Sequence, residues 1–266
     1  MGISLQTFST ASEAQAALGV SGARYMGGGT LVVRAVNEGD LLFSTIVRTT
    51  DPALSAIGTS DAGVRIGASV TMSMVLAHPG LSYLAPAARA VGGPAVRNMA
   101  TVGGNLFAPA PYGDFTVALL ALDAKVSISG SGEMALEAFL QERDSLGASA
   151  LVTSVTFAAP TPDSFRFLKV SRVHPKGAAV LTIAADIREE AGSVVQARIA
   201  LGCMADRAIR AHAAEVALVG RPRTKEGIAP ALTAALEGIA PPTDAIASAW
   251  YRREVLPVHL GRLLLS

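Results

Sequence analysis

A single cysteine, Cys203, stands among the 266 residues of this chain. No internal disulfide framework is open to it, and an iron–sulfur cluster, which ordinarily takes four thiolates, cannot be held by this chain alone. An excess of either charge is also missing. The 22 Lys and Arg nearly balance the 21 Asp and Glu, so nothing electrostatic invites nucleic acid, and no Lys/Arg run offers a patch for a membrane surface. Half of the residues are hydrophobic and the mean hydropathy is +0.42. Even so, no run approaches the roughly 18 uninterrupted apolar residues that a membrane helix needs. The opening stretch MGISLQTFSTASEAQAAL has neither the basic n-region nor the apolar h-region of a signal peptide, so cytoplasmic residence is expected. What is left is a chain long enough for a large core, with a small molecule or a protein surface as its partner class.

Turn chemistry and periodicity divide the chain. Residues 9–18, STASEAQAAL, read as a helix capped by Ser9 or Ser12, and ARYMGGGTLVVRAVNEG as strand, glycine turn and a second element from about Thr30. A strand then leads to a turn at Asp51-Pro52, and GVRIGASVTMSMVL reads as a short strand followed by a helix from about Thr71. FTVALLALDAKVSISG reads as a helix running into a strand. From about residue 150, ALVTSVTFAAP, SFRFLKVSR, AAVLTIAADIRE and SVVQARIALGC are four strand-like segments at hairpin spacing, which predicts an antiparallel sheet. The remainder is helical by period. The expected architecture is α+β in three lobes, with boundaries near residues 58 and 160.

Two glycine clusters stand out, Gly27-Gly28-Gly29-Thr30 and Thr101-Val102-Gly103-Gly104-Asn105. The second lies in RNMATVGGNLFAPAPYGDF, a stretch whose Gly, Asn and Pro argue against any regular helix or strand interior. Each cluster offers consecutive backbone N–H groups with little side-chain obstruction beside a hydroxyl, the means by which loops cradle phosphate oxygens. A diphosphate between the two is the physical hypothesis; two tight turns are the plain alternative. The common nucleotide signatures are absent: no lysine follows a glycine, as a Walker A loop requires, and the place of the third glycine of a Rossmann fingerprint is taken by Val32. Asp114 is an acid that a ribose or adenine could use, and equally a helix N-cap. Arg97 and Asn98 read as a locally bonded pair that positions the turn. His78, His174, His212 and His259 show no ligand spacing, and Cys203 reads as a small buried hydrophobe rather than a nucleophile. No catalytic acid/base pair announces itself.

Together the two clusters resemble the FAD-binding (medium) subunit of the molybdenum hydroxylases, the family of carbon monoxide dehydrogenase and xanthine dehydrogenase. Its A-G-G-T/H-x-L loop is matched by Gly27 to Val32, and its R-N-x-x-T-I-G-G-N loop by Arg97 to Asn105, followed by an acid at Asp114. FLKVSRVHPKGAAVLTIAADI and ARIALGCMADRAIRAHAAEVALVGR resemble the family's later segments. The likeness has departures, with Met26-Gly27 and Leu31 at otherwise different positions, and Val173, His174 and Pro175 breaking a usual run of Arg and Asp.

The resemblance implies an α+β fold, a two-lobed FAD-binding domain of the vanillyl-alcohol-oxidase/molybdenum-hydroxylase type (1–58 and 59–160) followed by a C-terminal antiparallel sheet with helices (161–266). It implies that Gly27, Gly28, Gly29, Thr30 and Leu31, with Thr101, Val102, Gly103, Gly104 and Asn105, hold the FAD diphosphate. Asp114 would lie on the adenosine side, with a backbone contact from Leu151 to the adenine portion, Lys169 near the flavin end, and Tyr112 in a loop within reach of the isoalloxazine edge. The function implied is electron transfer: FAD here takes electrons from two-iron, two-sulfur clusters in a small subunit, fed by a molybdenum cofactor in a large subunit, and passes them to an external acceptor. A dimer of heterotrimers is the implied assembly. A self-sufficient FAD oxidase or dehydrogenase of the related superfamily and a non-enzymatic scaffold remain as other readings. A bulky residue at Gly103 or Gly104 is expected to exclude FAD while leaving the fold largely intact.

Overall fold

A computed structural model describes residues 2–39, 42–61, 63–146, 150–173 and 177–266. The His174-Pro175 part of the sequence reading lies outside the described residues.

The N-terminal lobe is a three-stranded parallel sheet, β1 (Ser4–Phe8), β2 (Ala23–Tyr25) and β3 (Thr45–Thr49), in the order β1-β3-β2. Helix α1 (Ala11–Leu18) starts in a capping box in which Thr10 accepts from Glu13 N–H and Glu13 accepts from Thr10 N–H. The cap is therefore Thr10, not Ser9 or Ser12; Ser9 instead donates to Glu13. Helix α2 (Val32–Asn37) follows the first glycine cluster and has no buried residue. Asp51 closes the lobe: its carboxylate accepts from Ala53 N–H and from Ala11 N–H, both at 3.0 Å, tying the Pro52–Ser55 turn to the start of α1.

The second lobe comprises β4 (Ile57–Ser60), β5 (Gly63–Gly67), five helices, α3 (Met72–Ala77), α4 (Ala85–Ala90), α5 (Pro94–Arg97), α6 (Val102–Leu106) and α7 (Asp114–Ala121), then β6 (Lys125–Ile128), β7 (Gly132–Ala135), α8 (Leu136–Leu146) and β8 (Val152–Phe157). Its antiparallel sheet runs β4-β5-β8-β6-β7. Strand β8, grouped by its spacing with the strands after it, belongs here because its register partners are Val64 to Gly67 and Lys125 to Ile128. A second correction concerns the stretch read as irregular: it contains α5 and α6, with Gly103 and Gly104 inside a helical turn.

The C-terminal lobe consists of β9 (Phe165–Ser171), β10 (Ala179–Glu190), β11 (Ser193–Gly202) and β12 (Ile209–Arg210) in an antiparallel sheet ordered β12-β11-β10-β9, then α9 (His212–Leu218), α10 (Lys225–Ala234) and α11 (Ala249–Leu265). Side chains alternate across this sheet. Leu181, Ile183, Ala185, Ile187, Ile199 and Leu201 join the cluster under the C-terminal helices, while Ala184 and Ala200 join the core of the second lobe. That core is built around α7, whose eight residues DFTVALLA are all buried. A helix apolar on every side must be enclosed on every side, and α7 is packed between its own lobe and strands β10 and β11.

Candidate functional site

The first glycine segment leaves its sheet where Met26 N–H donates to Val47 O at 2.8 Å. Gly29, at a φ of +76°, then turns the chain into α2, a conformation that disfavours a side chain. Among the described residues, no protein acceptor meets the backbone N–H of Gly27, Gly28, Gly29, Thr30 or Leu31. Unpaired amides in a run are an anion-binding arrangement.

The second segment is arranged differently. Thr71 and Thr101 form an isolated antiparallel bridge. Two short helices leave from it, each capped by its own threonine: Thr71 accepts from Met74 N–H at 3.2 Å and Thr101 from Gly104 N–H at 3.1 Å. Val102 N–H donates to Val70 O and Gly103 N–H to Ala68 O, both at 2.9 Å, and Asn105 N–H to Thr101 O at 2.9 Å. The amides of residues 102–105 are thus committed within the chain, and the expected N–H cradle is not offered here.

The glycines of this segment serve close approach. A Cβ at Gly103 would lie 2.8 Å from Ala68 Cβ and 3.0 Å from Ala68 O. A bulky residue there would collide with β5's continuation at Ala68, a cost to the fold beside any effect on FAD that the expectation for Gly103 did not include. A Cβ at Gly104 would meet only the Thr101 hydroxyl, at 2.9 Å. The two segments also touch: a Cβ at Gly28 would fall 1.5 Å from Met99 O, and one at Gly27 would fall 2.8 Å from Thr101 Oγ1.

Asn105 and Asp114 are both turned inward. Asn105 Oδ1 accepts from Thr116 N–H at 2.9 Å, fastening α6 to α7. Asp114 is the first residue of α7, behind an N-cap at Gly113 with φ +90°, so it is not itself the cap. Its carboxylate accepts from Thr182 Oγ1 and from Lys169 Nζ, each at 2.7 Å. Lys169 Nζ also donates to Ala90 O at 2.9 Å. The ammonium therefore bridges the carbonyl end of α4 and the amide end of α7, the placement that helix-end partial charges favour for each group. Burial pushes the Asp114 carboxyl above its ordinary range, against the opposing pull of the Lys169 charge and the Lys169 and Thr182 hydrogen bonds. Lys169 sits on an edge strand, yet its side chain is only 16% exposed. Leu151 is fully buried, its N–H given to Gln15 Oε1 at 3.2 Å and its carbonyl accepting from Ser129 N–H at 2.9 Å. The adenine contact expected of Leu151 meets a backbone already engaged.

Arg97 donates to Gly92 O and Arg89 O, as a locally bonded residue should, whereas Asn98 Oδ1 accepts at 2.6 Å from Ser73 of α3, 25 residues earlier. Tyr112 accepts from Arg34 of α2 at 2.9 Å. Cys203 is buried, and burial pushes its thiol up to about 12, in keeping with a packed residue rather than a nucleophile. Thr182 and Arg34 escaped the sequence reading because their partners lie 68 and 78 residues away. A cleft of about 490 Å³ lies elsewhere, on the five-stranded sheet, lined by Thr59, Arg65, Lys125, Glu133 and Thr156 among others. Among the described residues no group of three His, Cys, Asp or Glu could hold a metal ion, and no helix is long and apolar enough to cross a membrane.

Comparison with known proteins identifies the family. Residues 3–160 match the family described as "FAD binding domain in molybdopterin dehydrogenase", and residues 166–266 match "CO dehydrogenase flavoprotein C-terminal domain". The chain is 30% identical over 229 residues to the 6-hydroxypseudooxynicotine dehydrogenase complex subunit alpha of Paenarthrobacter nicotinovorans, covering 80% of this chain and 75% of that one. It is 29% identical over 215 residues to the glyceraldehyde dehydrogenase medium chain of Sulfolobus acidocaldarius, covering 77% and 76%. Among solved structures, a chain of the carbon monoxide dehydrogenase of Hydrogenophaga pseudoflava superposes with a TM-score of 0.91 at 25% identity, covering 99% of this chain and 96% of that one.

Proposed function

The chain belongs to the FAD-binding subunit family of the molybdenum hydroxylases, and we propose that it holds the FAD diphosphate on the free amides of its first glycine segment. As a flavin subunit of a multisubunit molybdenum-containing oxidoreductase, it works through its cofactor: the redox chemistry is supplied by FAD when bound. The protein's share is binding, orientation and exclusion of water.

The observation that carries the reading is the run of N–H groups from Gly27 to Leu31, unmatched by protein acceptors among the described residues and lying against Met99 to Thr101. Those residues fit a diphosphate. Gly27, Gly28 and Gly29 bring amides close with no side chain in the way, and Thr30 and Leu31 extend the run. Thr101, Val102, Gly103, Gly104 and Asn105 form the opposing wall, with Gly104 the position where a Cβ meets nothing but the Thr101 hydroxyl. Asp114 and Lys169 act on the cofactor side through that wall, by fixing α4 and α7 against the C-terminal sheet. For Leu151 a remaining role is shape, as a fully buried residue beneath the N-terminal lobe. The division proposed is 1–58, 59–160 and 161–266; the second boundary lies between β8 and β9, while the first cuts β4, whose partner β5 belongs to the second lobe.

Electrons would reach this subunit from two-iron, two-sulfur clusters in a small subunit and originate at a molybdenum cofactor in a large one, in a cytoplasmic dimer of heterotrimers with an external acceptor. The one cysteine supports that division of labour, since a four-thiolate cluster needs other chains.

The test is the absorption spectrum of the purified protein and the identity of what heat or acid releases. Flavin bands at roughly 370 and 450 nm, with FAD released, are expected. A colourless protein that cannot be reconstituted with FAD, alone or with its co-purifying subunits, would overturn the reading in favour of a scaffold.

A further inference from the structure

Helix α2 follows directly on the free amides and is the least anchored part of the proposed site. It has no buried residue, and among the described residues it joins none of the hydrophobic clusters. Among the described residues one side-chain bond leaves it: Arg34 Nη1 donates to Tyr112 OH at 2.9 Å, with the guanidinium 5.7 Å from the ring centroid. Glu38, one turn further on, holds the guanidinium from the other side, Oε1 accepting from Arg34 Nε at 2.7 Å. Tyr112 lies seven residues beyond Asn105, on the loop that leads from the second glycine segment into α7.

The two segments are therefore joined at two places of unlike character. Gly28 against Met99 O is a backbone contact with no room to give. Arg34–Tyr112 is a bond between two exposed side chains, which opens by rotamer change alone. From this we propose that Arg34 and Tyr112 form a latch across the two segments, and that opening it is a step in the release of the bound dinucleotide. The inference rests on the FAD reading and assigns to these two side chains the retention of the cofactor. They are positioning residues: they hold α2, and through α2 the amides of Gly27 to Leu31, against the second segment.

A latch acts on the rate of release more than on the fold. In the flavin-loaded holoenzyme, FAD dissociation is followed by the rise in fluorescence of the free flavin. Arg34→Ala is expected to speed release about fivefold, the scale of one such hydrogen bond, and Tyr112→Phe, which keeps the ring under the cation, about threefold. The double variant should be no faster than Arg34→Ala, because both changes remove one interaction. Arg34→Lys, which keeps a cationic donor, should recover part of the retention, and the unfolding midpoint of the flavin-free enzyme should be unchanged in all four. Unchanged release rates, or single effects that multiply in the double variant, would overturn the latch. An unaltered holoenzyme that contains no FAD would instead overturn the reading on which it rests.

Discussion

The two glycine segments have similar composition and opposite internal economies. In residues 27–31 the amides face no protein acceptor among the described residues, and the helix that follows buries nothing. In residues 102–105 every amide is bonded within the chain, and the helix these residues form, α6, is tied through Asn105 to Thr116 of the fully buried α7. Glycine serves exposure of donors in the first and closeness of packing in the second. Glycine density by itself does not say which, because both uses need a missing Cβ.

The anchored side can be broken first. Lys169→Met would leave the Asp114 carboxylate buried without its counter-charge, an expected loss of about 3–5 kcal/mol in thermal or denaturant unfolding. Its pH dependence follows from a folded carboxyl already raised by burial. Such a group contributes stability below its unfolded pKa and loses it as pH rises through the folded one. Without Lys169 the folded value rises further, so the variant should be less impaired near pH 5 than near pH 8, values chosen to bracket that rise. A deficit that grows on acidification would contradict the buried pair.

Within the second segment the contrast between neighbours is sharper. Gly103→Ala drives a methyl into Ala68 and should cost about 1–3 kcal/mol in the flavin-free protein. Gly104→Ala meets only the Thr101 hydroxyl, and because that hydroxyl caps the Gly104 amide, part of the cap is lost while alanine gains in helix propensity over glycine; the variant should stay within about 1 kcal/mol of the parent while lowering flavin content if this wall lines the cofactor. Equal stabilities for the two variants would contradict the division between packing and lining.

Much of this was legible locally. Thr71 as the start of a helix, the burial of Cys203 and the local bonding of Arg97 all follow from short-range chemistry. What was not legible depends on distant chain. TVGGN reads as loop by propensity, yet the bridge to residues 70–72 and the Thr101 cap wind it into a helical turn. Strand β8 looks like its successors, but pairs with strands up to 93 residues earlier, as Val64 opposite Phe157 shows, where sequence spacing carries no signal. Asp114 reads as a cap or a ligand because Thr182 and Lys169, which take its oxygens, lie on other strands.

The most direct test of the account is amide hydrogen exchange, resolved by residue, in the flavin-free and FAD-loaded protein. The amides of Gly27 to Leu31 should exchange freely without flavin and become protected when FAD is bound. Those of Val102, Gly103, Gly104 and Asn105 should be protected in both. Fast exchange at 102–105 without flavin, or no change at 27–31 on binding, would contradict the assignment of the diphosphate to the first segment.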